Sequence, residues 1–245
     1  MALVTGGNSG IGLATAQAFA REGACVMIAA RRVAEGEAAA AMINAAGGQA
    51  AFVACDVTDA ASAQQMVART VATFGALHIA YNNAGVTGTV NFNVEDADPA
   101  MFAQVMAVNV TGTWLSMKYE VPAILASGGG AIVNCGSVAS LRGSAGASAY
   151  YASKHAVLGM TKCAALENAA RGIRVNAVCP GLVMTDLVEK GFASAPDKLA
   201  VLTARIPMQR LGTTREIADA VLWLASDESS FVNGAAISAD GGSAV

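Results

Sequence analysis

Short apolar runs alternate along the whole chain with longer segments of helical length, and this alternation limits the possible folds more than any other feature. The runs carry few charges, as strands that are buried on both faces of a sheet do. Repeated strand–helix units are typical of a parallel sheet covered by helices on both faces. Because no linker or low-complexity tract divides the chain, the sequence predicts one α/β domain over residues 1–245.

The predicted architecture is a doubly wound, Rossmann-like sheet. The predicted strands are Ala2–Thr5, Cys25–Ala29, Ala51–Cys55, Leu77–Tyr81, Ala131–Cys135, Val175–Cys179 and Ala235–Ala239. The predicted helices are Ile11–Arg21, Ala34–Ala45, Ala61–Phe74, Ala100–Leu125, Tyr150–Ala170 and Glu216–Ala225. The segment from about 184 to 210 contains apolar residues with glycine and proline, and we expect it to form a mobile substrate lid. Its apolar residues include Leu187, Phe192, Leu199 and Leu202.

Composition and charge exclude several classes of protein. Hydrophobic residues make up 54% of the chain and charged residues 13%, which suits a buried sheet, yet no run of 18 apolar residues suggests a membrane span. We expect no secretory signal. The net charge of −3, without a basic stripe, argues against nucleic acid as a partner. Five cysteines without a C-x-x-C pair predict a reducing, cytoplasmic environment, and two distant histidines predict no metal site.

Ligands of such sheets bind at the carboxyl ends of the strands, so the residues that follow each strand are the candidates for function. The first strand is followed by Thr5-Gly-Gly-Asn-Ser-Gly-Ile-Gly12. Glycines in this turn permit positive φ and a close approach of the backbone to a ligand. The helix that begins here offers free N–H groups to a pyrophosphate. The alternative is a tight strand–helix turn without a ligand.

The second strand is followed by two arginines at the position where an NAD site carries an acidic residue. Ala30 stands where that carboxylate would bind the ribose, and Arg31 and Arg32 come next. A guanidinium there can hold the 2′-phosphate of NADP by charge-assisted hydrogen bonds. The sequence therefore favours NADP(H) over NAD(H). The alternative is a solvated pair of arginines at the start of a helix.

Small and polar residues also follow the later strands. Asp56-Val57 follows the third, and Asp56 either binds the adenine amino group or caps the next helix. The other groups are Asn82-Asn-Ala-Gly85, Gly136-Ser137, and Pro180-Gly181 with Thr185. Tyr150 and Tyr151 lie four and three residues before Lys154, so on a helix either phenol can lie beside the ammonium group.

Taken in order, these motifs resemble the short-chain dehydrogenase/reductase family, in its shorter single-domain branch. The resemblance rests on T-G-x-x-x-G-x-G at 5–12, N-N-A-G at 82–85, Asn109, Ser137, Y-x-x-x-K at 150–154 and P-G at 180–181. It assigns the catalytic tyrosine to Tyr150 rather than Tyr151. It also selects Ser137, thirteen residues earlier, over Ser140 and Ser144.

The resemblance implies a catalytic set of Asn109, Ser137, Tyr150 and Lys154. Reduction of a ketone needs a hydride on carbon, which a nicotinamide supplies, and a proton on oxygen, which Tyr150 would donate. Ser137 would bind the substrate oxygen. Lys154 would stabilise the phenolate and hold the nicotinamide ribose, and Asn109 would connect Lys154 to solvent through water. The alternative for Asn109 is a buried side chain that braces its helix.

The remaining predicted site residues fall into two groups. Predicted cofactor contacts are Gly6, Asn8, Ser9, Gly10, Ile11, Gly12, Arg31, Arg32, Asp56, Val57, Asn82, Ala84, Gly85, Tyr150, Lys154, Pro180, Gly181, Val183 and Thr185. Predicted substrate contacts are Ser137, Ala139, Leu141, Tyr151 and Met184, with Val86 nearby.

The predicted function is NADPH-dependent reduction of an uncharged, moderately hydrophobic ketone to a secondary alcohol. Two enzymatic alternatives are a 3-oxoacyl carrier-protein reductase and an NAD-dependent secondary alcohol dehydrogenase. The stretch Ala126–Ala131 carries no basic residue for an acidic carrier, which weighs against the first. A non-catalytic NADP-binding sensor is the alternative from another class, and the complete catalytic set argues against it. The resemblance also implies a homotetramer, with a dimer as the alternative.

Overall fold

The computed structural model of the chain describes residues 1–90, 93–185, 188–189, 192 and 196–245. Its main sheet is parallel throughout and contains seven strands. These are β1 (Ala2–Thr5), β2 (Cys25–Ala30), β3 (Gln49–Ala54), β4 (Ile79–Asn82), β5 (Gly130–Cys135), β6 (Ile173–Pro180) and, last in the chain, Ala236–Ala239. Two short strands, β7 (Val183–Met184) and β8 (Gly212–Thr213), form a separate pair, so the last strand is β9.

The strand order of the main sheet is β3-β2-β1-β4-β5-β6-β9. This is the doubly wound order with a seventh strand added at one edge, and it confirms the predicted fold class. The order reverses between β1 and β4, so the turns that follow these two strands are neighbours. Thr5 and Asn82, the last residues of these two strands, are paired in the sheet register.

Helices cover both faces of the sheet. They are α1 (Gly10–Arg21), α2 (Val33–Ala45), α3 (Ala60–Phe74), α4 (Pro99–Met106), α5 (Gly112–Ala126), α6 (Ser148–Asn168), α7 (Pro196–Ala204) and α8 (Thr214–Ala225). One apolar core packs α1, α2 and α8 against the sheet through side chains such as Phe19, Ile43 and Leu224. The other packs α3, α5 and α6 against the opposite face, with Met66, Ile124 and Ala165. No helix among the described residues is long and apolar enough to cross a membrane.

The predicted long helix over Ala100–Leu125 is continuous in the structure, but its centre is not α-helical. The helix runs on, but a π-helical turn over Ala107–Thr111 separates α4 from α5. Asn109 lies at the middle of this turn, and its side chain bonds the backbone of Val86 in both directions, at 2.8 and 2.9 Å. Such single π turns are rare and occur frequently at functional sites. The 3.6-residue hydrophobic pattern does not reveal an added residue in one turn.

The segment predicted as a mobile lid contains more regular structure than expected. Met184 pairs with Thr213 and Val183 with Gly212, so the two ends of the segment are joined by the β7–β8 pair. Helix α7 lies between these ends. Leu187 lies outside the described residues, and nothing in the described part tests whether the segment moves.

A chain of buried polar side chains joins α5, the sheet and α6 below the carboxyl ends of β4 and β5. Glu120 of α5 accepts from Nδ2 of Asn82 at 2.9 Å, and the same nitrogen donates to Oδ1 of Asn134 at 3.0 Å. Asn134 in turn donates to the hydroxyl of Thr161 on α6, at 3.0 Å. All four side chains are buried, and burial raises the pKa of Glu120 to about 7.

Replacing Glu120 by glutamine is expected to flatten the pH dependence of stability. The pKa of Glu120 rises on folding from 4.5 to about 7, so the folded chain holds this proton more tightly than the unfolded chain. Its contribution is complete below about pH 4.5 and is lost as the pH rises through about 7. Between pH 5 and pH 8 the loss is roughly 2 to 3 kcal/mol. Urea unfolding of the parent protein and of Glu120→Gln at pH 5 and pH 8 measures this loss. An equal change in the free energy of unfolding of the two proteins would contradict the assignment of the pH dependence to Glu120.

Candidate active site

The glycine-rich turn after β1 leaves room for a ligand at the start of α1. Gly6 and Gly10 have φ of 64° and 53°, a region that side chains disfavour. A Cβ on Gly12 would overlap the carbonyl oxygen of Gly6 and lie 2.6 Å from Nδ2 of Asn83. Ser9, the residue before α1, makes no capping bond with its side chain. The N–H groups of the first turn are therefore available to an anion.

A cleft of 310 Å³ opens beside this turn. Its lining includes Asn8, Ser9 and Gly10 on one side and Met184 and Thr185 on the other. Thr185 lies over the turn, since a Cβ on Gly10 would be 3.6 Å from its methyl carbon. Five of the predicted cofactor or substrate residues thus border one cavity. A second cavity, of 360 Å³, lies beyond β6 and β9 near Arg210 and Asp240, away from the predicted catalytic residues.

The two arginines after β2 differ in their side-chain contacts. Arg32 lies across the turn: its Nη2 is 3.4 Å from Oγ of Ser9, and the amide oxygen of Asn8, turned toward it, accepts from Nη2 at 2.9 Å. Arg32 also pairs with Glu35 at 3.1 Å. Arg31 is exposed and makes no side-chain hydrogen bond within the described residues. It is therefore the arginine that is free to bind an anion.

Asp56 does not cap α3. Its Oδ1 accepts from the backbone and hydroxyl of Thr58, at 2.9 and 2.8 Å, while Asp59 caps the helix through the N–H of Ser62. The bonds from Thr58, together with the nearby charge of Arg31, lower the pKa of Asp56. Asp56 is thus ionised at neutral pH, and its second oxygen is left for the predicted adenine contact. Val57 packs under the π turn, against Gly112.

The turn after β4 is bonded to the turn after β1. Asn83 donates from its side chain to the carbonyl oxygens of Thr5 and Gly6, at 3.1 and 3.2 Å. The hydroxyl of Thr5 accepts from the backbone N–H groups of Asn83 and Ala84. Sequence reasoning missed this role of Asn83. The side chain of Asn82, predicted to contact the cofactor, instead points into the sheet toward Glu120.

Ser137 lies two residues after the end of β5 and caps the start of a single 3₁₀ turn, Val138–Ser140. Its Oγ accepts from the N–H of Ala139 at 3.1 Å, and Oγ of Ser140 accepts from the N–H of Ser137 at 3.1 Å. This reciprocal capping fixes the orientation of Ser137 and occupies one acceptor site of its oxygen. The hydroxyl proton is left to donate to a ligand. Ser140, expected to be only a turn residue, thus orients Ser137.

Lys154 lies between the ends of β4 and β5. It is almost fully buried, and its Nζ donates to the carbonyl oxygen of Cys135 at 2.7 Å. The same nitrogen lies 5.8 Å from the ring centroid of Tyr150, one helical turn earlier on α6. A Cβ on Gly85 would be 3.6 Å from this Nζ. The structure therefore brings Gly85, Tyr150 and Lys154 together, and Tyr151 packs edge-on against Tyr150 with ring centroids 6.3 Å apart.

Asn109 braces the site through its side chain. Besides its two bonds to Val86, Nδ2 of Asn109 donates to Oγ of Ser153 at 2.9 Å. Ser153 donates to the carbonyl oxygen of Tyr150 at 2.7 Å, and Thr113 donates to the carbonyl oxygen of Asn109. These contacts favour the bracing interpretation of Asn109. They also identify Ser153, which sequence reasoning missed although it lies inside the Y-x-x-x-K motif.

The remaining predicted residues differ in how far they are exposed. Pro180 and Val183 are buried, and a Cβ on Gly181 would be 2.8 Å from Cα of Asp240. Among the predicted substrate contacts, Ala139 is buried, whereas Leu141 and Met184 are 40% and 42% exposed. The two exposed apolar side chains are therefore available to a substrate.

Comparisons with known proteins agree on one family. A family profile described as enoyl-(acyl carrier protein) reductase matches residues 6–244. Cyclohexanol dehydrogenase from Acinetobacter sp. (strain SE19) is 42% identical over 241 residues, which are 98% of this chain and 93% of that protein. Two solved structures, levodione reductase and a variant of actinorhodin polyketide ketoreductase with NADPH, superpose with TM-scores of 0.94. They are 34% and 33% identical, and each match covers 99% of this chain and 96% of the other.

A methyl group on Gly12 is expected to disrupt the turn, whereas one on Gly159 is expected to be tolerated. Gly12→Ala brings Cβ against Gly6 and Asn83, at an expected cost of about 1 to 3 kcal/mol in the free energy of unfolding. Gly159 lies in α6, and apart from its chain neighbours and the backbone of its own helical turns no atom of the described chain is within 4 Å of its Cβ position. Gly159→Ala should therefore stabilise the protein by up to about 1 kcal/mol. Denaturant unfolding of both variants measures these changes in the free energy of unfolding. Equal changes for Gly12→Ala and Gly159→Ala would refute this geometry.

Proposed function

The chain belongs to the short-chain dehydrogenase/reductase family, as the order of its motifs predicts, and from that premise we propose that it reduces an uncharged, moderately hydrophobic ketone with NADPH. It is an oxidoreductase that interconverts CH–OH and C=O groups. The observation that carries the proposal is the position of Ser137, Tyr150 and Lys154 around the end of β5. The direction of the reaction, the cofactor and the ketone are the proposed parts.

In the proposed reaction, Ser137 binds the carbonyl oxygen of the substrate. Its oxygen already accepts from the N–H of Ala139, so its own O–H is free to donate. A hydrogen bond to an oxygen that gains negative charge during the reaction stabilises the transition state more than the ground state. Because Ser140 fixes the backbone of Ser137, this donor needs little reorganisation when the charge develops.

Tyr150 then gives its phenolic proton to the same oxygen. The ammonium group of Lys154 favours the phenolate that remains, since an opposite charge nearby stabilises the ionised form. In the oxidative direction the phenolate accepts the proton from the alcohol. One N–H of Lys154 is fixed on Cys135, which leaves the other two to bind toward Gly85, where a cofactor ribose would lie.

The described residues fit a nicotinamide dinucleotide, which when bound supplies the hydride. The first turn of α1 and the glycines before it would hold the pyrophosphate, and Arg31 would bind a 2′-phosphate. Asn109 positions Tyr150 through Ser153. The route from Lys154 to solvent through Asn109 stays a prediction.

The exposed apolar side chains of Leu141 and Met184 support a substrate without charge. A carrier-protein substrate needs basic residues on the enzyme, and the stretch before β5 has none.

We also propose a homotetramer, which light scattering tests.

NADPH is expected to bind at least tenfold more tightly than NADH, a difference of about 1.4 kcal/mol. Arg31→Ala should remove this preference by weakening NADPH alone, because NADH lacks the 2′-phosphate. Fluorescence titration with both cofactors measures the dissociation constants. Arg21→Ala, an exposed arginine in the last turn of α1, is the matched control and should behave as the parent protein. Tighter binding of NADH to the parent would contradict the reading of Ala30 and Arg31.

Removal of the two reacting hydroxyl groups is expected to lower turnover without preventing cofactor binding. Ser137→Ala should lower kcat by roughly 10² to 10³, and Tyr150→Phe by roughly 10² to 10⁴. Steady-state oxidation of NADPH with a panel of uncharged cyclic ketones measures this. Tyr119→Phe is the matched control, because Tyr119 also lies beside a lysine but on α5. The centroid of its ring is 5.4 Å from Nζ of Lys118. Equal losses in Tyr119→Phe and Tyr150→Phe would contradict the assignment.

A further inference from the structure

Glu120 is a fully buried carboxyl group that the proposed reaction does not use. It is 0% exposed and takes part in no ion pair among the described residues. Its Oε2 accepts one hydrogen bond, from Asn82, while its Oε1 has no partner. Oδ1 of Asn82 is also buried without a partner. An ionised carboxylate with one donor costs much more free energy to bury than the neutral acid does.

The groups around Glu120 supply no compensating positive charge. The segment after β3 presents the thiol of Cys55, and α6 presents the neutral hydroxyl of Thr161. β4 and β5 present the amides of Asn82 and Asn134, and the α3 residues buried against α5 are uncharged. On α5 itself, Lys118 lies over the rings of Trp114 and Tyr119. Burial raises the pKa of Glu120, and the bond from Asn82 only partly opposes this.

Asn82 connects this carboxyl group to the cofactor site. It is the last residue of β4, and the next three residues form the turn that reaches Lys154. The turn is fixed at three points: Asn82 to Glu120 and Asn134, Asn83 to the turn after β1, and Val86 to Asn109. If Glu120 ionises, its carboxylate must gain donors or water, and either change moves α5 or the side chain of Asn82.

We propose that Glu120 is a positioning residue for the cofactor site, which it holds through Asn82 as a neutral acid, and that its ionisation loosens the Asn82–Gly85 turn and weakens cofactor binding. This inference rests on the proposed function, because it concerns the same cofactor. By linkage, bound cofactor must in turn make Glu120 harder to ionise. Glu120→Gln gives a side chain that is neutral at every pH and keeps an oxygen to accept from Asn82. This variant should therefore hold the cofactor site in place over the whole pH range.

The test is the dissociation constant of NADPH between pH 6 and pH 8.5. Coupling of this kind is typically worth a factor of about five or more, so the constant of the parent protein should rise at least that much across the range. Glu120→Gln should lose this part of the pH dependence, so that between pH 6 and pH 8.5 its dissociation constant rises at least about fivefold less than that of Glu167→Gln. Glu167 is exposed on α6, so this control should follow the parent, and the titration of the cofactor's own phosphate contributes equally to both variants.

The outcomes separate this inference from the proposed function. If Glu120→Gln keeps the pH dependence of the parent, or if the parent shows none, Glu120 does not position the cofactor site. If NADPH binds at no pH, the proposed function fails and this inference fails with it.

Difference infrared spectroscopy of the parent protein provides a test that does not depend on the folding of a variant. The carbonyl stretch of a protonated carboxyl group should disappear as the pH rises through neutrality, and NADPH should shift this transition to higher pH. A carboxyl group that is already ionised at pH 6, or a transition that NADPH leaves unchanged, would overturn the proposal.

Discussion

The hydrogen bonds that hold the turn after β4 are the constraint on which the rest of the site depends. Asn83 ties this turn to the glycine-rich turn after β1, and Asn109 ties its far end to the π turn and, through Ser153, to α6. The two turns meet because β1 and β4 are neighbours where the strand order reverses. One set of amide contacts therefore sets the distance between the first turn of α1, the proposed pyrophosphate site, and the Tyr150–Lys154 pair.

Much of the fold and the candidate site followed from the sequence because both depend on local patterns. Buried parallel strands give uninterrupted apolar runs, and the residues after them are predictable by position alone. Other features left no such signal. A π turn adds one residue without disturbing the apolar face, and β7 and β8 are two residues each, too short to alternate. Glu120 resembles a solvated residue in the sequence, because its burial is decided by packing against distant strands.

The site combines fixed donors with groups that change protonation. Ser137 and Lys154 are held by backbone partners, which leaves their remaining O–H and N–H groups for the charge that the proposed reaction develops. In that reaction Tyr150 transfers the proton. Below the same strand ends, Glu120 is buried where only its neutral form fits well. In the two proposals, the proton of the reaction and the control of cofactor binding therefore belong to different side chains, Tyr150 and Glu120.

Deuterium transfer tests the central claim most directly. The protein would be incubated with uncharged cyclic ketones, such as cyclohexanone, and NADPH labelled with deuterium at C4 of the nicotinamide, each stereoisomer separately. Mass spectrometry of the alcohol would then locate the label. The account predicts one deuterium on the carbinol carbon from one of the two stereoisomers. An alcohol that carries no deuterium from either stereoisomer would contradict direct hydride transfer at this site.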